Sequence, residues 1–190
     1  MASILNVDQI NNAAGTSGIA LDASTGKASF PNSVTIPNGA TMPAGSVVQV
    51  VQGIKSNETS TTSTSFVDTG LARSITPTSS SSKILITLDV TGRSNNRGAS
   101  FNVQYSTDGG SSYSDVSIAG NTNNWGHAVG YTSNGTVAAW GHMTKHFLHS
   151  PSTTSNILYK VQYKSIGSGA NCIICDSSDA AILTLMEIAQ

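Results

Sequence analysis

Apolar and polar side chains alternate along several stretches of the chain, and the cleanest alternation runs from residue 84 to residue 90. One set of alternate positions is Ile84, Ile86, Leu88 and Val90, and the other is Leu85, Thr87 and Asp89. Successive side chains of a β-strand point to opposite faces, so this pattern is typical of a strand with one face in a core. Residues 84–90 are therefore predicted to form a core strand.

Similar patterns recur through the rest of the chain after residue 45. The other predicted strands are 45–52, 100–105, 116–118, 128–132, 136–148, 156–164 and 180–189. Segments 45–52 and 180–189 are apolar on both faces, which for 180–189 indicates a central position in a sheet. Strands this short, with turn residues between them, predict an all-β fold and a C-terminal β-sandwich or jelly-roll-like head. No helix is predicted.

Two pairings between neighbouring strands follow from the turns. Asn134-Gly135 is a strong signal for a two-residue hairpin and predicts that 128–132 pairs with 136–148. Segment 116–118 is the predicted hairpin partner of 100–105, in which Asn102 and Gln104 are expected to face outward.

Residues 1–45 differ from the rest of the chain because their apolar segments are too short to build a hydrophobic core of their own. Turn residues recur about every seven to twelve positions between them. For such a segment alone, the free-energy cost of the conformational entropy lost on ordering exceeds the gain from burying its apolar side chains. If three copies wind together, each apolar segment is buried against its neighbours. We therefore expect a slender stem of a homotrimer, with a disordered tail as the alternative. Its first apolar residues are expected to anchor the chain to another protein; they are Ile4, Leu5, Val7 and Ile10.

These patterns divide the chain into an anchor and stem, residues 1–45, and a head, residues 46–190. A run of Ser and Thr from Ser56 onward is predicted to be the hinge-like entry from stem to head.

Composition and charge exclude several classes of function. Charged residues make up 10% of the 190 residues and the net charge is −1, with Lys and Arg scattered along the chain. Nucleic-acid binding is not expected, since it needs a basic patch. The chain has no apolar run long enough to span a bilayer and no visible secretory signal, so we expect a protein made in a cytoplasm.

The residues that could bind a metal are few. Cys172 and Cys175 form a single C-x-x-C without further ligands, and we expect two reduced thiols in a buried strand rather than a redox or zinc site. The four histidines are His127, His142, His146 and His149. His142 and His146 share a strand face with Trp140 while His149 falls opposite, and we expect them to pack or to face solvent. No metal or other cofactor is predicted.

The segment 106–113 has the form S-x-D-x-G-x-S-aromatic and resembles the Asp-box turn of sialidases and many unrelated β-proteins. In such a turn the Asp108 carboxylate accepts backbone N–H groups, Gly110 supplies a positive φ and Tyr113 caps the hairpin. Glycoside hydrolysis requires two facing carboxylates, and no pair of acids is placed by spacing. We therefore expect a structural turn and no enzyme, with no catalytic residue.

The segment 120–131, G-N-T-N-N-W-G-H-A-V-G-Y, combines the features of a recognition loop. Asn and Gly favour an exposed loop, and flat amphipathic rings stack on sugars or anchor protein contacts. The alternative is that Trp125 packs in the trimer interface. Together with the segment 93–98, which adds two guanidinium groups, this loop supplies the candidate receptor-binding residues. They are Arg93, Arg97, Asn123, Asn124, Trp125, His127 and Tyr131.

Four stretches carry a resemblance to a known family. They are T-S-T-S-F-V-D-T-G-L-A-R-S-I-T-P-T-S-S-S-S-K-I-L-I, the ending A-I-L-T-L-M-E-I-A, the opening M-A-S-I-L-N-V-D-Q-I, and G-K-A-S-F-P-N-S-V. The first two resemble the distal domain of bacteriophage tail-fibre-type proteins, and the others are similar to the amino ends of such virion fibres. The middle of the chain, including 120–131, departs from the family.

The resemblance implies a trimeric, β-structured virion appendage. On this interpretation a phage tail fibre attaches the particle to a host surface glycan or outer-membrane component through its head, while its N-terminus binds another virion protein. The alternatives are a head fibre or capsid-decoration spike and, from another class, a glycan-degrading tailspike enzyme.

Overall fold

The computed structural model describes residues 9–11, 17–21, 28–29, 42–94, 98–117, 126–128, 139–175 and 179–190. The chain divides into two compact units, residues 1–41 and residues 42–190. Every regular element in the described ranges is a β-strand, which confirms the all-β prediction for this part of the chain. It therefore offers no helix of the length and apolarity that crossing a membrane requires.

The first unit contains a three-stranded antiparallel sheet in the order β1-β2-β3. The strands are β1 Gln9–Asn11, β2 Ser17–Leu21 and β3 Ala28–Ser29. Ile10, a predicted anchor residue, pairs with Ile19. The three strands lie within the predicted stem, and its trimeric assembly stays a prediction.

The second unit contains eleven strands among its described residues. They are β4 Val47–Lys55, β5 Thr59–Thr61, β6 Val67–Ile75, β7 Lys83–Ser94, β8 Ala99–Ser106, β9 Ser114–Asp115, β10 Gly126–Ala128, β11 Ala139–His149, β12 Ile157–Ser165, β13 Cys172–Ile174 and β14 Ala181–Ile188. A six-stranded sheet has the order β4-β14-β7-β13-β5, with β11 also paired to β7. A five-stranded sheet has the order β10-β8-β12-β6, with β9 also paired to β8.

The predicted core strand is the long strand β7, in the middle of the six-stranded sheet. Its alternate positions from Ile84 to Val90 are at most 1% exposed, as the sequence pattern predicts. The terminal strand β14 lies between β4 and β7, which confirms its central position.

One hydrophobic core is formed by the inward side chains of both sheets. In the five-stranded sheet the large inward side chains come from β8 and β12 and include Phe101, Tyr159 and Tyr163. The rings of Phe101 and Tyr163 stack with their centroids 6.4 Å apart. The predicted alternation of β12 is confirmed along its whole length.

Two glycines shape the edges where the sheets approach each other. Gly70 has a φ of +84° at a register shift between β6 and β12, where the Thr69 hydroxyl donates to the carbonyl of Val161 at 2.7 Å. This is a β-bulge, which bends and twists a strand locally. At the other edge strand, a Cβ on Gly53 would lie 2.9 Å from the carbonyl oxygen of Ala72, so only glycine lets β4 come this close to β6.

The strand partners bear on two predicted pairings. Strand β8 pairs with β9 at Ser114–Asp115, and the Val116 N–H donates to the carbonyl of Val103 at 2.9 Å, so the predicted hairpin forms with its second strand starting two residues earlier. Strand β10 pairs with β8 and strand β11 pairs with β7, so the described parts of the predicted Asn134-Gly135 hairpin belong to different sheets. The turn itself, with residues 129–138, lies outside the described residues. The pairing across this turn stays a prediction.

The Ser/Thr run is not the entry to the head. Strand β4 precedes it and already pairs with β14, while β5, within the run, pairs with β13. Local hydrogen bonds tighten the segment that follows, where the Ser63 backbone N–H donates to the Thr61 hydroxyl and the Ser65 N–H to the Ser63 hydroxyl. The run therefore connects the two sheets of the second unit.

Candidate functional site

The outward side of the five-stranded sheet carries a set of polar side chains, which we call the polar face. Its members come from four strands and are Asp68, Asn102, Gln104, Asp115, Lys160 and Gln162. They are brought together by register, because Gln104 lies opposite Lys160 and Asn102 lies opposite Gln162. Alternation on β8 and β12 places their polar positions on this side while their apolar positions enter the core.

Two carboxylates organise the hydrogen bonds of the polar face. Asp115 Oδ1 accepts from Asn102 Nδ2 at 2.7 Å and from Gln104 Nε2 at 2.8 Å. Asp68 Oδ1 accepts from Gln162 Nε2 at 2.8 Å and lies 3.1 Å from the ammonium group of Lys160. Both carboxylates are thus held by amide or ammonium donors. Because the face has two carboxylates and one ammonium group, it carries a formal charge of −1 beside its fixed donors and acceptors.

Asn102 differs from its neighbours because it is 1% exposed although it lies on the outward side. Its Oδ1 is the one buried side-chain atom of the described residues that has no hydrogen-bond partner. A buried amide oxygen ordinarily accepts a hydrogen bond. The polar face therefore retains an unused acceptor beside Asp115.

The predicted Asp-box turn borders the polar face, and its geometry is confirmed. Asp108 Oδ1 accepts the backbone N–H groups of Ser111 and Ser112, both at 3.0 Å, and Gly110 has a φ of +93°. Hydrogen bonds from the hydroxyls of Ser106 and Ser112 and from these backbone groups hold the pKa of the Asp108 carboxyl well below its usual range.

The aromatic residue of this turn connects it to the polar face. The ammonium group of Lys160 lies 3.8 Å from the centroid of the Tyr113 ring, a cation–π contact. Further along β12, the ammonium group of Lys164 lies 4.5 Å from the centroid of the Phe66 ring. Both rings therefore have a lysine ammonium group against one face.

The predicted receptor-binding residues are only partly within the described ranges. His127 lies in β10 and pairs with Ser100 of β8, whereas Arg93 lies near the end of β7 and pairs with Trp140 and Ile173. These two residues therefore belong to different sheets. The remaining predicted residues of the receptor site and the anchor lie outside the described residues; they are Arg97, Asn123, Asn124, Trp125, Tyr131, Ile4, Leu5 and Val7.

The histidines of β11 separate between two environments, as predicted. His142 Nε2 lies 2.7 Å from Asp89 Oδ1 and His146 Nδ1 lies 3.3 Å from the hydroxyl of Thr87, both on the exposed side. In the ranges that the structure describes, no three His, Cys, Asp or Glu side chains group together as metal ligands.

His149 lies on the opposite side of β11, against the core. Its Nδ1 is 2.8 Å from the hydroxyl of Tyr159, and its ring centroid is 4.6 Å from that of Tyr105. Burial lowers the pKa of His149 from 6.5 to about 4. Burial also raises the pKa of Tyr159 far above its usual value, so the pair is neutral near pH 7.

Both cysteines are buried and free, which confirms the predicted environment of the C-x-x-C. The Cys172 thiol lies 3.0 Å from the carbonyl oxygen of Gly98, and Cys175 follows β13 with a φ of +57°. Burial raises the pKa of the Cys175 thiol and makes it a poor nucleophile.

Sequence reasoning did not single out Glu187, which points into the core from β14 and is fully buried. Its carboxylate accepts from Gln49 Nε2 at 2.6 Å and from both the backbone N–H and the hydroxyl of Thr78 at 2.7 Å. Burial raises its pKa, but the hydrogen bonds from Gln49, Thr78 and Ser82 together outweigh burial and lower the pKa below its usual value. The sequence feature that could have identified this residue is a single Glu in an otherwise largely apolar strand.

Comparison of the sequence with models of known protein families gave no match, and comparison with characterised proteins gave none either.

Proposed function

We propose that this chain is a bacteriophage virion fibre whose second unit, the head, attaches the particle to the surface of its host. The observation that carries the proposal is that the two C-terminal stretches that resemble phage tail fibres form one structural unit. Strand β7 begins in one stretch and pairs with β14, which is the other. Glu187 of β14 binds Thr78 in the turn between β6 and β7, so the resemblance covers residues that depend on each other.

The finer architecture that we propose for the head is a jelly-roll-like β-sandwich. It is supported by two antiparallel sheets that share one core and by the absence of helices from the described residues. A rigid head of this kind is suited to present a loop to a receptor.

We propose that the fibre is a homotrimer, joined through its N-terminal stem and anchored to another virion protein by its first residues. The proposal is supported by the short strands β1–β3 and by the apolar segments of residues 1–45, which are too short to form an independent hydrophobic core. Three weak sites on one particle component raise the avidity of attachment without a tight single contact.

The receptor class that we propose is a surface glycan or an outer-membrane component. The polar face supports this proposal because its amides, its carboxylates and the Tyr113 ring match hydroxyl groups and the apolar side of a sugar. The recognition loop 120–131 contains β10, which pairs with β8 of the same sheet. The arrangement favours binding, since Asp68 and Asp115 are engaged by donors rather than placed as an acid and a base.

The position on the virion can be tested with antibodies against the purified protein. We expect gold-labelled antibody to decorate phage particles at the tail. Labelling at the capsid would support the alternative of a head fibre or decoration spike. If particles that infect the source host are not labelled at all, the virion proposal is wrong.

Host recognition can be tested with the purified, fluorescently labelled protein on host cells. We expect the double variant Trp125→Ala and Tyr131→Ala to lose cell binding, while Ile166→Ala, an exposed position outside the loop and the polar face, retains it. Unchanged binding by the double variant would move the site elsewhere. Release of reducing sugar from host polysaccharide by the wild-type protein would contradict a pure binding role.

A further inference from the structure

We draw no further inference here: the strongest candidate, the apolar surface patch around Val50 and Ile54 on the outward side of the six-stranded sheet, carries none because nothing in the described part of the chain shows what covers it.

Discussion

At the scale of single residues, two titratable side chains in or beside the core are held in their charge states by different means. His149 is neutral because burial removes water from its ring, while Glu187 is ionised because several donors replace the water it has lost. Each one makes the stability of the fold depend on pH, in a different range.

We predict that the head loses stability between pH 6.5 and about pH 4 because of His149. Its folded pKa of about 4 lies below the unfolded value of 6.5, so the unfolded chain binds a proton first as the pH falls. The contribution is complete above pH 6.5 and decreases below it. Allowing for the partial exposure of the ring, the loss is on the order of 2 kcal/mol in the free energy of unfolding.

Urea denaturation of the wild type and of His149→Gln across this pH range checks the prediction. The variant should lose most of the pH dependence, whereas His142→Gln, at an exposed position, should keep it. A full pH dependence in His149→Gln would show that another group is responsible.

We predict that Glu187→Gln destabilises the head by about 2 kcal/mol at pH 7, because hydrogen bonds to charged groups are stronger and the new amide NH2 meets donors on Gln49 or Thr78. The folded pKa of Glu187 lies below 4.5, so this contribution is present above pH 4.5 and is lost as the pH falls through the folded pKa. Urea denaturation measures the change. Glu58→Gln is the control, since Glu58 is exposed; equal stability of the two variants would contradict the role of Glu187.

At the scale of elements, the sheets are joined at one edge by the close approach of β4 and β6. Gly53 permits this approach, and the side chain of Gln49 on the same strand donates to the carbonyl of Thr76 at 2.7 Å. The edge strand β4 is therefore positioned from two sides, by its ladder with β14 and by β6.

We predict that Gly53→Ala destabilises the head by about 1–3 kcal/mol, the usual cost of overpacking. The added Cβ meets a backbone oxygen, which cannot rotate away as a side chain can. Thermal unfolding measured by circular dichroism checks this, with Gln52→Ala on the exposed side of the same strand as the control. If Gly53→Ala unfolds at the wild-type temperature, β4 and β6 are not fixed at this distance.

At the scale of the whole molecule, the second unit has two unlike outer surfaces. The polar face holds its carboxylates in hydrogen bonds to amide and ammonium groups, whereas the outward side of β4 exposes the apolar residues Val50 and Ile54. The net charge of the chain is −1. Long-range electrostatic attraction to a cell surface is therefore weak.

We predict that binding of the labelled protein to host cells changes less than about two-fold between about 0.05 M and about 0.5 M NaCl, since screening weakens only charge-based attraction. Flow cytometry at the two salt concentrations measures the bound fraction. A loss of about ten-fold or more at high salt would indicate a receptor recognised by charge instead of by hydrogen bonds and stacking.

The sequence by itself determined the strands β7, β8 and β12 and their inward faces, because alternation is a local property that each segment carries. It did not predict β5 and β6. Residues 84–90 and 157–163 were predicted with the correct faces, and the Asp108 turn was predicted because its donors and acceptor lie within a few positions. The all-β class follows from the same local patterns.

Only the tertiary structure decided which strands pair and what lies over each face. The turn at Asn134-Gly135 predicts one hairpin, yet the described strands on either side of it, β10 and β11, pair with β8 and β7 in different sheets. The sequence shows that β4 is apolar on both faces but not that one of them is left exposed. Glu187 obtains its donors from positions more than a hundred residues away in the chain, which no local pattern encodes.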